Sequence, residues 1–127
     1  MKRKITVALV ALLALSVIGC RGITERSYRS ESYVFGELRN TLPVTMETAY
    51  QASLKTLEDM GTYLISQETN ALNSRIVART QNDSKITINL IRTEAETCKI
   101  DIRINKMGNE SESREILESI QYNLDTD

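Results

Sequence analysis

The sequence predicts an α+β domain: a two-layer sandwich in the order β-α-β-β-β-β-α, with a mostly antiparallel five-stranded sheet and two helices on one face. Three observations predict it. Apolar residues recur at three- and four-residue steps in two separate stretches, one beginning at Met46 and one at Ile116, as on helices buried along one side. Between about Thr62 and Asn105 the period is two, the signature of half-buried strands. Only short polar segments interrupt that middle stretch, which favours antiparallel pairing, because parallel neighbours need a crossover of about a dozen residues. A length of 127 residues, 41% hydrophobic and 26% charged, suits one domain with one core.

Taken in chain order, Tyr33–Leu42 (YVFGELRNTL) reads as the first strand, closed by Pro43, which cannot donate to a ladder. Met46, Ala49, Tyr50, Ser53, Leu54, Leu57 and Met60 then share one side of a helix, with Glu47, Gln51, Lys55 and Glu58 opposite. Thr45 is its expected N-cap, and Gly61 supplies the left-handed residue that helix C-termini favour. Four strands follow at Thr62–Glu68, Arg75–Thr80, Lys85–Arg92 and Thr97–Asn105, separated by TNALNS, QNDS and TEAE. Ile86, Ile88 and Leu90, then Cys98, Ile100, Ile102 and Ile104, point one way. Lys99, Asp101, Arg103 and Asn105 point the other. Cys98 thus shares its face with three isoleucines, which makes it a small core residue rather than a nucleophile. Beyond Gly108, Asn109 and Glu112 have capping-box spacing, and Ile116, Leu117, Ile120 and Leu124 form the stripe of the second helix.

The first twenty residues have a different character. Lys2, Arg3 and Lys4 precede an uncharged apolar run from Ile5 to Ile18, and Gly19 stands before Cys20. That is the layout of a signal peptide over residues 1–19. As a helix the run would span about 21 Å, short of a hydrocarbon core of about 30 Å. Its ending, Leu15-Ser16-Val17-Ile18-Gly19-Cys20, resembles the bacterial lipobox, which makes Cys20 the lipidated residue. Several acyl chains hold a protein stably where one binds marginally. Arg21, in place of an aspartate, favours sorting to the outer membrane. Residues 20–32 then read as lipidated cysteine and flexible tether, with a reach of about 20 Å for a coil of that length, and residues 33–127 as the domain.

Composition excludes several functions. The chain has no histidine and no tryptophan, which removes Ser/His/Asp and Cys/His catalysis and every histidine metal site. Three of its 16 basic residues precede Cys20 and all 17 acidic residues follow it, so the processed chain has a net charge of minus four. Nucleic acid is therefore not an expected partner. Glu94, Glu96 and Asp101 lie close in sequence but lack the glycine-centred spacing of a calcium loop, so no metal site is expected. Gly108-Asn109-Glu110-Ser111 is a helix cap before it is an anion loop. No nucleophile, base and orienter stand at telling spacing, so an enzyme is not expected either.

The polar sheet face is the candidate interaction surface. Arg75, Val77, Arg79, Lys99 and Arg103 are expected to project from it near Thr87 and Ile91, mixing positive charge with exposed apolar groups. A solvated face is the bland reading of the same residues. A binding face would suit a protein, an acidic glycan or lipid head groups, since it lacks the stacked aromatics of RNA-binding sheets.

The chain also resembles a bacterial lipoprotein family of unknown function. The resemblance rests on the tyrosine-led strand with Gly36, on Pro43 and the helix bearing Tyr50, Ala52, Leu57 and Gly61, and above all on the last third. There the family pattern is Ile-Arg-x-Gly-x-x-Gly-Asp-x-x-x-Ser-x-x-Ile-Leu-x-x-Ile, matched by Ile102, Arg103, Gly108, Ser113, Ile116, Leu117 and Ile120. Asn105 replaces a glycine and Asn109 an aspartate. A looser similarity is to the repeated domains of the lipoprotein of the barrel-assembly machinery, which also set a helix before a run of strands. Together with the lipobox these imply a lipid-anchored, non-enzymatic envelope protein, addressed to the outer membrane and facing the periplasm, that serves as a structural or protein-interaction module with an envelope protein as its expected partner. The alternative is a carrier that holds a lipid or small amphiphile between helices and sheet, beside Met46, Tyr50 and Met60. No cofactor is expected.

Overall fold

The computed structural model describes residues 31–126. The segment expected to be a signal peptide, Cys20 and the expected tether up to residue 30 lie outside them. The described chain is α+β, with strands β1 (Ser32–Val34), β2 (Glu37–Leu42), β3 (Tyr63–Thr69), β4 (Asn73–Arg79), β5 (Lys85–Glu94) and β6 (Thr97–Ile104), and helices α1 (Met46–Asp59) and α2 (Glu110–Thr126). Among the described residues no helix is long and apolar enough to cross a membrane.

The sheet has six strands, not five, in the order β1-β2-β6-β5-β4-β3, and every neighbouring pair is antiparallel. The additional strand comes from the stretch expected to be one continuous strand, Tyr33–Leu42. It folds back on itself at Phe35-Gly36, with Val34 opposite Glu37. Both turn residues have positive φ, 53° and 79°, as a two-residue type I′ hairpin requires. An apolar residue stands where such turns favour asparagine, so residue type alone reads as unbroken strand. β1 also starts at Ser32, within the stretch read as tether.

The meander β3 to β6 returns across the sheet to β2, as its short connections require. Residues of one parity turn toward the helices: Leu38 and Leu42, Ile76 and Ala78, Ile86, Ile88 and Leu90, and Cys98, Ile100, Ile102 and Ile104 are all buried. They form one core with Met46, Ala49, Ala52 and Leu57 of α1 and Ile116, Leu117 and Ile120 of α2. β3 is the exception. It is exposed along its length and carries a bulge between Leu64 and Ser66.

The caps form as the sequence predicts. Thr45 Oγ1 accepts from Thr48 N at 3.1 Å, and Asn109 Oδ1 from Glu112 N at 3.0 Å. Gly61, at φ +74°, donates its N–H to Glu58 O and closes α1. The helices also share a polar link hidden from periodicity. Thr56 and Asn123 are buried, and Asn123 Nδ2 donates to Thr56 Oγ1 at 2.7 Å.

Candidate interaction face and its corner

Cross-strand register builds the open face of the sheet in rows. One row runs Glu37, Arg103, Thr87, Val77, Ser66, and the next runs Arg39, Asp101, Asn89, Arg75, Glu68. Arg75 and Arg103, two of the predicted residues, line one depression of about 260 Å³ together with Glu37, Lys85, Thr87, Asn89, Asn105 and Lys106. The other three are not brought into it. Arg79 pairs with Asp83 at 3.3 Å, and Lys99 sits opposite Thr41 and Ile91, away from the depression. Val77 is buried, at 7% exposure, rather than forming part of an exposed apolar patch. Arg75 and Arg79 flank it along its strand and Ser66 and Thr87 across, and long basic side chains cover apolar neighbours with their methylene stems.

Arg103 is the keystone of one corner. Its Nη2 donates to Phe35 O at 3.0 Å and its Nη1 to Lys106 O at 2.9 Å, so one guanidinium joins the β1–β2 turn to the loop after β6. Glycine makes the approach possible. At Gly108, φ +86°, a Cβ would stand 2.5 Å from both Gly36 Cα and Tyr33 Oη, and at Gly36 one would stand 2.8 Å from Met107 O. Asn105, at φ 58°, occupies a left-handed position, and its Oδ1 accepts from Lys85 N at 2.9 Å. After glycine, asparagine is the residue that visits that conformation most readily, through its short polar side chain.

Asp101 lies mid-face and is buried, at 9% exposure; its Oδ1 has no protein hydrogen bond among the described residues. Burial raises its pKa first, Glu37 raises it further, and Lys99 and Arg39 oppose them. Arg39, directly opposite, instead holds Glu37 at 3.1 Å. Asp101 is paired with Asn89, five positions along β5 from Glu94, about 17 Å at strand rise. Asp101, Glu94 and Glu96 are therefore not a cluster, and among the described residues no group of three potential ligands is assembled. Cys98 is buried in the core, and burial pushes its thiol up to about 11, so it is not a reactive thiol at neutral pH.

Residues 4–123 match the family described as a protein of unknown function, DUF3568. The chain belongs to that family. The DUF3568 match begins at Lys4, ahead of the apolar run, and extends through most of α2, so it takes in Cys20, the sheet and the Arg103 corner alike. No curated protein matches the chain.

Sequence reasoning missed Lys85, Lys106, Phe35 and Met107. Lys85 has the parity of Thr87 and Asn89, which could have placed it on the open face. Lys106 and Met107 lie beyond the last strand, and only the turn at Phe35-Gly36 brings the two loops together. A second cleft, about 590 Å³, opens between the helices beside Met60, Asp59, Glu118 and Tyr122. Of the residues considered for a carrier cavity only Met60 borders it; Met46 is closed into the core and Tyr50 is half-buried.

Proposed function

We propose that this DUF3568 protein is a lipid-anchored component of a bacterial envelope, held through acylated Cys20 in the outer membrane and facing the periplasm. Its domain acts there as a non-enzymatic interaction module. The observation that carries the reading is the sequence Leu15-Ser16-Val17-Ile18-Gly19-Cys20 behind a basic cluster and an apolar run. A family match that begins at residue 4 supports it, because the shared region then includes that segment. The looser likeness to the barrel-assembly lipoprotein supports a protein-binding role by analogy of fold. The open face of the sheet is the surface on which such a module would work.

Cys20→Ala tests the anchor. The variant is expected to lose incorporation of labelled palmitate and to accumulate as an unprocessed precursor. Normal processing, with acyl label retained, would refute the anchor.

A further inference from the structure

Phe35 and Met107 are the two most exposed large apolar side chains of the described molecule, at 89% and 88%. They stand on adjacent loops, because Arg103 holds the carbonyls of Phe35 and Lys106 and Gly36 lies against the Met107 carbonyl. Phe35 is also held at φ 53°, a conformation that bulky residues rarely adopt and for which the turn favours asparagine or glycine. An aromatic in a disfavoured conformation and so little covered by the described residues is not explained by their packing. The depression shares Arg103 and Lys106 with this corner and carries Lys85 and Arg75 farther along its lining, where Glu37 is the one acidic side chain.

We propose that this corner is a membrane-docking tip: Phe35 and Met107 enter the hydrocarbon edge of a leaflet while Lys106, Lys85 and Arg75 bind the phosphates of anionic lipid head groups. Two apolar side chains on projecting loops with cations beside them match the layering of a bilayer surface, acyl chains below and phosphates above. Chain geometry delivers the tip to that surface. β1 enters at Ser32 and reaches Phe35 within three residues, about 10 Å at strand rise, and Ser32 follows Cys20 by twelve positions in sequence. The inference deepens the envelope reading and rests on it only for that delivery.

The test uses the full chain, whose lack of tryptophan makes a substituted tryptophan a unique probe. Phe35→Trp is reconstituted into phosphatidylethanolamine vesicles, with and without phosphatidylglycerol, whose acyl chains carry bromine. Met107→Trp is the second tip probe. Tyr122→Trp is the control, exposed and twelve residues along α2 from Glu110, about 18 Å along the axis. Emission from both tip probes is expected to shift to the blue and be quenched by bromine well beyond the control. Quenching is expected to fall when phosphatidylglycerol is omitted or when Lys85→Gln and Lys106→Gln are combined. Quenching no greater than that of the control overturns the proposal. So does a blue shift without bromine quenching, which would mean that an apolar protein surface covers the tip. Flotation and intact mass of the same sample report the anchor separately. An acylated, floating protein with unquenched tip probes overturns the tip and leaves the anchor standing. Unacylated protein whose tip is still quenched on anionic vesicles supports the tip and refutes the anchor.

Discussion

The two faces of the sheet are made of the same six strands and obey different rules. On the covered face the alternating residues are mostly aliphatic, with Asn40, Ser74 and Cys98 among them, and Ile86, Ile88, Leu90, Ile100, Ile102 and Ile104 are each no more than 1% exposed. The hydrophobic effect selects there for size and apolarity. On the open face the same strands present Glu37, Arg39, Lys85, Thr87, Asn89, Lys99 and Arg103, nearly all half-exposed. Individual exposed charges contribute little to stability, so residue choice on that face is free to serve a different purpose. What fixes its arrangement is register, which sets Arg103 opposite Glu37 on one side and Thr87 on the other. One face carries the fold and the other carries the candidate site.

The largest expected effect separates the faces directly. Ile102→Ala, at a fully buried position central to the core, is expected to destabilise by about 2–5 kcal/mol through lost burial and the cavity left behind. Lys99→Ala, three residues earlier on the open face, is expected to stay within about 0.5 kcal/mol of the parent. Urea unfolding of both variants checks this. Comparable losses would mean that the open face is packed against something and is not free.

Phe35→Asn sharpens the comparison, because it joins stability and site in one residue. Left-handed backbone costs an ordinary L-residue about 1–2 kcal/mol, and asparagine lightens that cost through its short polar side chain. Phe35 is 89% exposed, so its removal leaves no cavity. The variant is expected to be about 1 kcal/mol more stable, with a higher midpoint in urea. A destabilised variant would show that Phe35 packs in the folded protein and is not a free tip.

The sequence made the covered face legible and the open one only in part, for the same reason. Alternation between apolar and polar residues reports which face a residue occupies, and it placed Cys98, Ile100, Ile102 and Ile104 in the core. It says nothing about which residues meet across strands. Arg75 and Arg103 were recognisable as members of the open face, but their meeting with Lys85 depends on the pairing of β4, β5 and β6. The β1–β2 turn was invisible because phenylalanine has high strand propensity and occupies a conformation it disfavours. Tertiary structure overrides propensity there: the Gly36–Gly108 approach and the Arg103 hydrogen bonds hold a turn that its own residues would not choose. The Thr56–Asn123 bond was equally hidden, since each residue breaks the apolar stripe of its own helix; Thr56 Oγ1 donates to Ala52 O within its helix and accepts from Asn123 Nδ2 across the pair.

The smallest expected effect comes from Asp101, where the open face departs from its own rule by burying a carboxyl. Its folded pKa is raised, chiefly by burial and then by Glu37, so the folded state binds the proton more tightly than the unfolded chain does. Below the unfolded pKa both states are protonated and the full stability is present. As pH rises through the window between the unfolded and the folded pKa, the unfolded chain releases its proton first, and stability falls until the folded pKa has been passed. Asp101→Asn keeps the shape, removes the charge and should abolish this contribution. The variant is expected to match the parent at acid pH and to exceed it at neutral pH by about 1 kcal/mol, the lower end of what one buried polar group left unpaired costs. Urea unfolding at a series of pH values checks it. If parent and variant keep the same difference at every pH, burial does not perturb this carboxyl, and the open face is wetter at Asp101 than its 9% exposure implies.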